Sequence, residues 1–192
     1  MRNNNWRDSQ EAEIAASGLA PKFDVESAII ITLPAGNYTA ILSGNGGATA
    51  VGLVEVYDLD TTGATKLGNL STRGLVQTGE RVMIGGFILG RSGGDETIII
   101  RGIGPSLAQY GVTNPLSDPT LELRDKDGTL IRSDDNWEDD PDQAAQVSAA
   151  GLAPSDPKES AIAATLPPGN YTATLAGRND VTGVGLVELY FQ

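Results

Sequence analysis

The chain has 192 residues, with 13 basic against 25 acidic side chains, no histidine and no cysteine, for a net charge of -12. Without imidazole or thiol there is no Ser-His-Asp triad, Cys-His pair, disulfide framework, iron–sulfur cluster or His/Cys zinc site. The negative field repels phosphate backbones, which argues against nucleic acid as a partner, and it favours hard cations held through oxygen.

The chain opens on Asn3-Asn4-Asn5-Trp6, and Ser9 to Ser17 reads as a short helix stopped at Gly18. The segment that follows occurs twice. Gly18-Leu19-Ala20-Pro21 returns as Gly151-Leu152-Ala153-Pro154, and Glu26-Ser27-Ala28-Ile29 as Glu159-Ser160-Ala161-Ile162. Gly36-Asn37-Tyr38-Thr39-Ala40 returns as Gly169-Asn170-Tyr171-Thr172-Ala173, and Val51-Gly52-Leu53-Val54-Glu55 as Val184-Gly185-Leu186-Val187-Glu188. Asn3 to Trp6 likewise matches Asp134-Asp135-Asn136-Trp137. From Gly18 to Tyr57 about 25 of 40 positions are identical, which marks an internal repeat. Residues of about 67–133 occur once. The organisation is therefore a leading half repeat over 1–66 and a complete unit over 67–192, in the order C-half, N-half, C-half.

Within the unique part, Arg81 to Leu89 and Glu96 to Arg101 read as strands, the second a short β-branched run of a buried strand. Arg101-Gly102-Ile103-Gly104-Pro105-Ser106 has the look of a phosphate loop but lacks Gly-Lys-Ser/Thr, and it reads as a strand end and tight turn. Thr120 to Arg124 alternates polar and apolar, and Asp127-Gly128 turns it back into Thr129 to Arg132. In the second C-half a helix is predicted from Asp142 to Ala150, stopping at Gly151. Ala161 to Leu166, the turn Pro167-Pro168-Gly169-Asn170 and Tyr171 to Leu175 read as a second hairpin, and Gly183 to Tyr190 closes the unit. With 24 glycines and 10 prolines to turn the chain, the fold class is all-β: an antiparallel β-sandwich with one short helix per repeated half. Trp6 and Trp137 are read as plugs of the same corner.

The densest charge is Asp134 to Asp142, six acids in nine residues. A calcium ion takes six to eight oxygens, and Asp134, Asp135, Asp139 and Asp140, with Asp125 and Asp127 one hairpin away, are the candidate ligands. The spacing is not that of an EF-hand, and a solvated acidic loop that caps the helix explains the same residues. The leading copy bears on the choice, because Asn3-Asn4-Asn5-Trp6-Arg7-Asp8 lacks most of the charge while keeping the tryptophan. Ser106 has no base to activate it, and with aromatics at 5% a sugar cleft between paired carboxylates is not expected. Nothing in the sequence spans a bilayer, and no signal peptide is read at the start.

The odd number of halves poses a physical problem, since an unmatched C-half exposes sheet edges and an apolar face. Three arrangements are open: each C-half stands alone as a small sandwich, the leading one packs on the N-half of its own chain, or it pairs with another molecule.

The stretches Leu70 to Gly74, Val82 to Phe87, Arg101 to Leu107, Asp118 to Leu123, Asp134 to Trp137 and Gly185 to Tyr190 resemble a tandem β repeat of large secreted or surface proteins of environmental bacteria. More distantly, Leu121 to Gly128 with Pro168 to Thr172 is similar to the bacterial pre-peptidase C-terminal domain. That resemblance implies a jelly-roll-like sandwich appended to secreted enzymes, some members of which bind calcium and collagen. The expected function is a non-catalytic extracellular module for adhesion, spacing or self-assembly, with calcium as the expected stabiliser. Its expected partners are neighbouring repeats, copies of itself, or an extracellular protein or glycan. The alternative is a carbohydrate- or protein-binding accessory module of a secreted enzyme.

Overall fold

The computed structural model describes residues 1–60, 67–90 and 94–192. It divides into two compact units, Met1–Thr65 and Lys66–Gln192.

The described residues of the second unit form an antiparallel β-sandwich of eight strands. They are β1 (Asn69–Val76), β2 (Met83–Leu89), β3 (Glu96–Ile103), β4 (Pro119–Asp125), β5 (Leu130–Asp134), β6 (Ser160–Leu166), β7 (Gly169–Gly177) and β8 (Gly183–Phe191). One sheet has the order β1-β8-β3-β6 and the other β2-β7-β4-β5, the strand order of a jelly roll. Every connection except β4 to β5 crosses from one sheet to the other. Alternating side chains explain the layering. Leu121 and Leu123 of β4, Tyr171, Ala173 and Leu175 of β7, and Val187 and Leu189 of β8 point inward and share one core with Ile98, Ile100 and Ile162. The run Ile98-Ile99-Ile100 is apolar throughout because both its faces are covered. Ile98 and Ile100 enter that core, while Ile99 meets Ala161, Ala163 and Val147 on the other side. Val147 belongs to α2 (Pro141–Ala149), which lies over the outer face of β3 and β6. Gly102 lets the layers approach, since a Cβ there would sit 2.8 Å from Leu175 and 2.7 Å from the Ser160 hydroxyl.

The Asp127-Gly128 hairpin between β4 and β5 forms as the turn chemistry predicts. The second predicted hairpin does not. β6 pairs with β3, whereas β7 pairs with β2 and β4 in the opposite sheet. Pro167-Pro168-Gly169 carries the chain across the sandwich, and the Tyr171 hydroxyl closes that turn by donating to the Pro167 carbonyl at 2.7 Å. A turn of this kind redirects the chain in either case; the partner strand decides which.

The pairing also bears on the odd half. No strand of the second C-half pairs with another strand of that half: β8 lies between β1 and β3, β7 between β2 and β4, and β6 beside β3. The C-half here is thus not a small sandwich of its own but three strands threaded among five others.

The first unit holds a short helix, α1 (Glu11–Ala16), and 3-10 turns at Trp6–Asp8 and Asn45–Gly47. Trp6 and Ile14 are its buried apolar side chains. Among its described residues there is no β-strand. The contrast with the matching residues of the second unit is large. Ile162, Leu175 and Val187 are 0%, 0% and 1% exposed, while their counterparts Ile29, Leu42 and Val54 are 47%, 52% and 49% exposed.

Candidate functional site

Asp134, Asp135, Asp139 and Asp140 line one open depression of about 540 Å³ with Thr120, Leu121, Glu122 and Ser133. Two features place them there: the end of β5 and the loop that leads into α2. Each carboxylate has structural work. Asp134 Oδ2 accepts from the Ala161 amide at 2.8 Å. Asp135 pairs with Arg178, and its second oxygen is buried with no protein partner. Asp139 accepts from the Asn136 side chain at 3.0 Å. Asp140 caps α2, accepting from the amides of Asp142 (3.0 Å) and Gln143 (3.3 Å), and its other oxygen lies 3.3 Å from Arg132. Burial pushes the Asp134 carboxyl above its ordinary range; the amide of Ala161 opposes this, and the charges of Asp139 and Asp140 add to it.

Asp125 and Asp127 do not line the depression. Asp125 folds back on its own turn, accepting from the amides of Asp127 and Thr129, both at 2.9 Å, and these bonds hold its carboxyl below the usual range. Asp127 pairs with Lys126 at 2.6 Å. Among the described residues, no group of three or more acidic side chains is disposed to hold a metal ion.

The work of Asp134 becomes clear from the neighbouring bond. β6 is the edge strand of its sheet, and an edge strand shows unpaired amides. The Ala161 amide is covered by Asp134 and the Ala163 amide by the side-chain oxygen of buried Gln143 of α2, at 2.8 Å. The acidic loop and the helix together close the edge. In the leading copy Asn3 accepts from the Ala28 amide at 3.1 Å and Gln10 from the Ile30 amide at 3.4 Å, the same two bonds. An asparagine does there what Asp134 does here, so this contact needs an oxygen and not a charge.

Two further polar clusters were not singled out from the sequence. The first is centred on Glu159, which is fully buried. Its Oε1 accepts from the amides of Gly104 (3.1 Å) and Ser106 (3.0 Å) and from the Ser106 hydroxyl (2.5 Å). The segment that looks like a phosphate loop therefore does hold an anion, namely a carboxylate of its own chain. The Glu159 carbonyl accepts from the Trp137 amide at 2.8 Å. The second cluster joins neighbouring strands. Arg101 of β3 pairs with Glu188 of β8, with Nε–Oε2 at 2.9 Å, donates to the Leu152 carbonyl at 3.0 Å, and stacks its guanidinium 5.3 Å from the Tyr190 ring centre. The Tyr190 hydroxyl donates to Glu188 at 3.1 Å. Burial raises the Tyr190 hydroxyl above its usual range, and the charge of Glu188 adds to this. The repeat itself was the available signal, since Glu26, Glu55 and Tyr57 match Glu159, Glu188 and Tyr190.

No helix among the described residues is long and apolar enough to cross a membrane. No family model matches the chain, and no curated protein matches it. Among solved structures it is similar to the pre-peptidase C-terminal domain of a collagenase from Bacillus anthracis, with 13% identity and a TM-score of 0.38 over 65% of this chain and 89% of that one. At that level the likeness carries no argument, and the jelly-roll assignment rests on the strand order above.

Proposed function

We propose that the chain is a non-catalytic β-sandwich repeat module of a secreted or surface protein, working in spacing, adhesion or assembly. One observation carries this reading: the polar groups that the two copies share are the ones that tie the fold together. Glu159 joins the second C-half to the Gly104 turn, Glu188 and Tyr190 join β8 to Arg101, and Gln143 covers the edge of β6. The side chains best suited to chemistry are thus committed to linking elements, while Glu138 and Asp142 of the acidic loop, which the leading copy lacks, are exposed. A repeated unit with such joints adds length and a regular outer face.

The depression at the end of β5 carries the ion and ligand parts of the reading. Four aspartates and Glu122 line it, and this concentration of negative charge favours a hard cation such as calcium nearby, although the four aspartates are already bonded within the protein and, among the described residues, no three of the acids are disposed as a ligand set. A glycan-binding accessory module is the second reading. It is disfavoured because no aromatic ring lines the depression to stack on a sugar. A panel of glycans and extracellular-matrix proteins, presented to the full chain, separates the two. The module reading predicts no saturable glycan binding, and a saturable, Asp135-dependent glycan response overturns it.

A further inference from the structure

Several local bonds of the second C-half are already made in the leading copy. The Trp6 amide donates to the Glu26 carbonyl at 2.7 Å, as Trp137 does to Glu159. The Tyr38 hydroxyl closes its proline turn on the Pro34 carbonyl at 2.9 Å, as Tyr171 does on Pro167. The Tyr57 hydroxyl donates to Glu55 at 3.0 Å, as Tyr190 does to Glu188. Asn3 and Gln10 cover one edge of residues 28–30, as Asp134 and Gln143 cover β6. Only the non-local half of the pattern is missing: the strands that flank β7 and β8, the strand beside the inner edge of β6, the Gly104–Ser106 turn for the glutamate, and the arginine for the Glu–Tyr pair. All of these come from residues 69–134 in the second unit. Those residues are engaged there by β6, β7 and β8 of their own unit.

We propose that residues 3–57 are a docking element whose partner is a second polypeptide segment with the sequence pattern of residues 69–134. Residues 51–57 enter between its β1-like and β3-like strands, and residues 36–44 between its β2-like and β4-like strands. Residues 27–33 lie along its β3-like strand. Ile29, Leu42 and Val54 become its core, Glu26 receives the turn that matches Gly104–Ser106, and Glu55 receives the arginine that matches Arg101. A polypeptide lacking that turn and that arginine leaves Glu26 and Glu55 with their local partners, the Phe23 amide and the Tyr57 hydroxyl, and without the further donors that a matching segment brings, which makes the docking selective for this repeat. The inference deepens the assembly part of the function proposed above. Its failure leaves the glycan panel untouched, so the two can fail separately.

The absence of native cysteine makes the test clean. In the second unit Arg73 of β1 faces Leu186 of β8, and Leu186 corresponds to Leu53. The probe is the polypeptide 67–134 carrying Arg73→Cys, diluted from denaturant into the full chain carrying Leu53→Cys under mild oxidation. The expected product is a one-to-one disulfide adduct, at least fivefold above that obtained with Ile41→Cys, which is as exposed but out of register. Adding Arg101→Ala to the probe is expected to cut the yield severalfold. Equal yields at Leu53→Cys and Ile41→Cys overturn the proposal, as does capture confined to a Leu186→Cys chain, which reports exchange within the second unit. Because the free probe exposes unpaired strand edges that favour aggregation, a covalent form provides the second reading: residues 67–133 joined ahead of Asn3. The expected result is a roughly doubled unfolding enthalpy and a hundredfold or greater gain in amide protection over residues 28–57. An unchanged enthalpy with no gain in protection overturns the proposal.

Discussion

Replacing Glu159 by alanine tests the reasoning where burial and hydrogen bonding meet. Its Oε1 holds the amides of Gly104 and Ser106 and the Ser106 hydroxyl at 3.1, 3.0 and 2.5 Å. The hydroxyl can turn elsewhere, but two backbone amides lose their acceptor. A buried N–H left without a partner costs about 1–3 kcal/mol; with the Gly104 amide buried and the Ser106 amide partly so, the two cost about 2–4 kcal/mol. Removing a fully buried carboxylate recovers part of its desolvation, which puts the expected loss near 3 kcal/mol. For a domain of this size that is a fall in melting midpoint of roughly 10 °C. Glu159→Gln keeps an acceptor and is expected to lose about 1–2 kcal/mol. The measurement is urea unfolding followed by far-ultraviolet circular dichroism. Glu26→Ala is the internal control, because among the described residues the Glu26 carboxylate lacks the donors that hold Glu159 and accepts from the Phe23 amide at 2.9 Å. It is expected to shift the same transition by less than about 0.5 kcal/mol. A loss below about 1 kcal/mol for Glu159→Ala, or equal losses for the two alanine variants, would refute the reasoning.

Asp134→Asn should leave the melting midpoint at neutral pH unchanged or slightly higher, because Asn3 makes the equivalent bond without charge. The folded-state pKa of Asp134 is raised above its ordinary 3.8. The native protein therefore carries a penalty at neutral pH that is relieved as the pH falls through the raised value toward 3.8. Melts from pH 7 to pH 3.5 should show the variant's advantage shrinking over that window; an advantage that grows as the pH falls contradicts the assignment. Asp125→Asn should behave oppositely. Its lowered pKa means a stabilisation present above the ordinary 3.8 and lost on acidification, so the variant should be the weaker protein at neutral pH and match the native one in strong acid. Leu121→Ala, at a fully buried position, should cost about 2–5 kcal/mol by equilibrium unfolding; a cost below 1 kcal/mol would mean that the two sheets do not share the core described. Calcium at a hundredfold excess over its dissociation constant should raise unfolding stability by about 2.7 kcal/mol, reversibly with EDTA and not in Asp135→Asn. An unchanged midpoint removes the ion from the reading.

The strands were legible where the local pattern carried the information. Thr120 to Arg124 alternates, Ile98 to Ile100 is apolar on both faces, and Asp127-Gly128 specifies its own hairpin. β1 was missed because Asn69-Leu70-Ser71-Thr72-Arg73-Gly74 shows little apolar periodicity, and its strand character comes from lying against β8. The β6–β7 turn was misread because a proline-glycine turn looks the same whether it joins neighbours in one sheet or carries the chain between sheets. The leading copy makes the point most directly. About 25 of 40 residues are shared, yet one copy is in strands and the other is not. What differs is the set of partners, and sheet pairing is a non-local property. The same holds for the sites. The acidic loop stood out because its charges are adjacent in sequence. Glu159 did not, because the amides that give it meaning lie more than fifty residues earlier, at Gly104 and Ser106.

The dependence of each C-half on a matching N-half is tested most directly by amide hydrogen exchange on the intact chain. Slow exchange is predicted across residues 160–166, 169–177 and 183–190, and fast exchange across residues 28–57 although most of the aligned positions are identical. Comparable slow exchange in both copies would show that a C-half forms its strands without the partners assigned to it here.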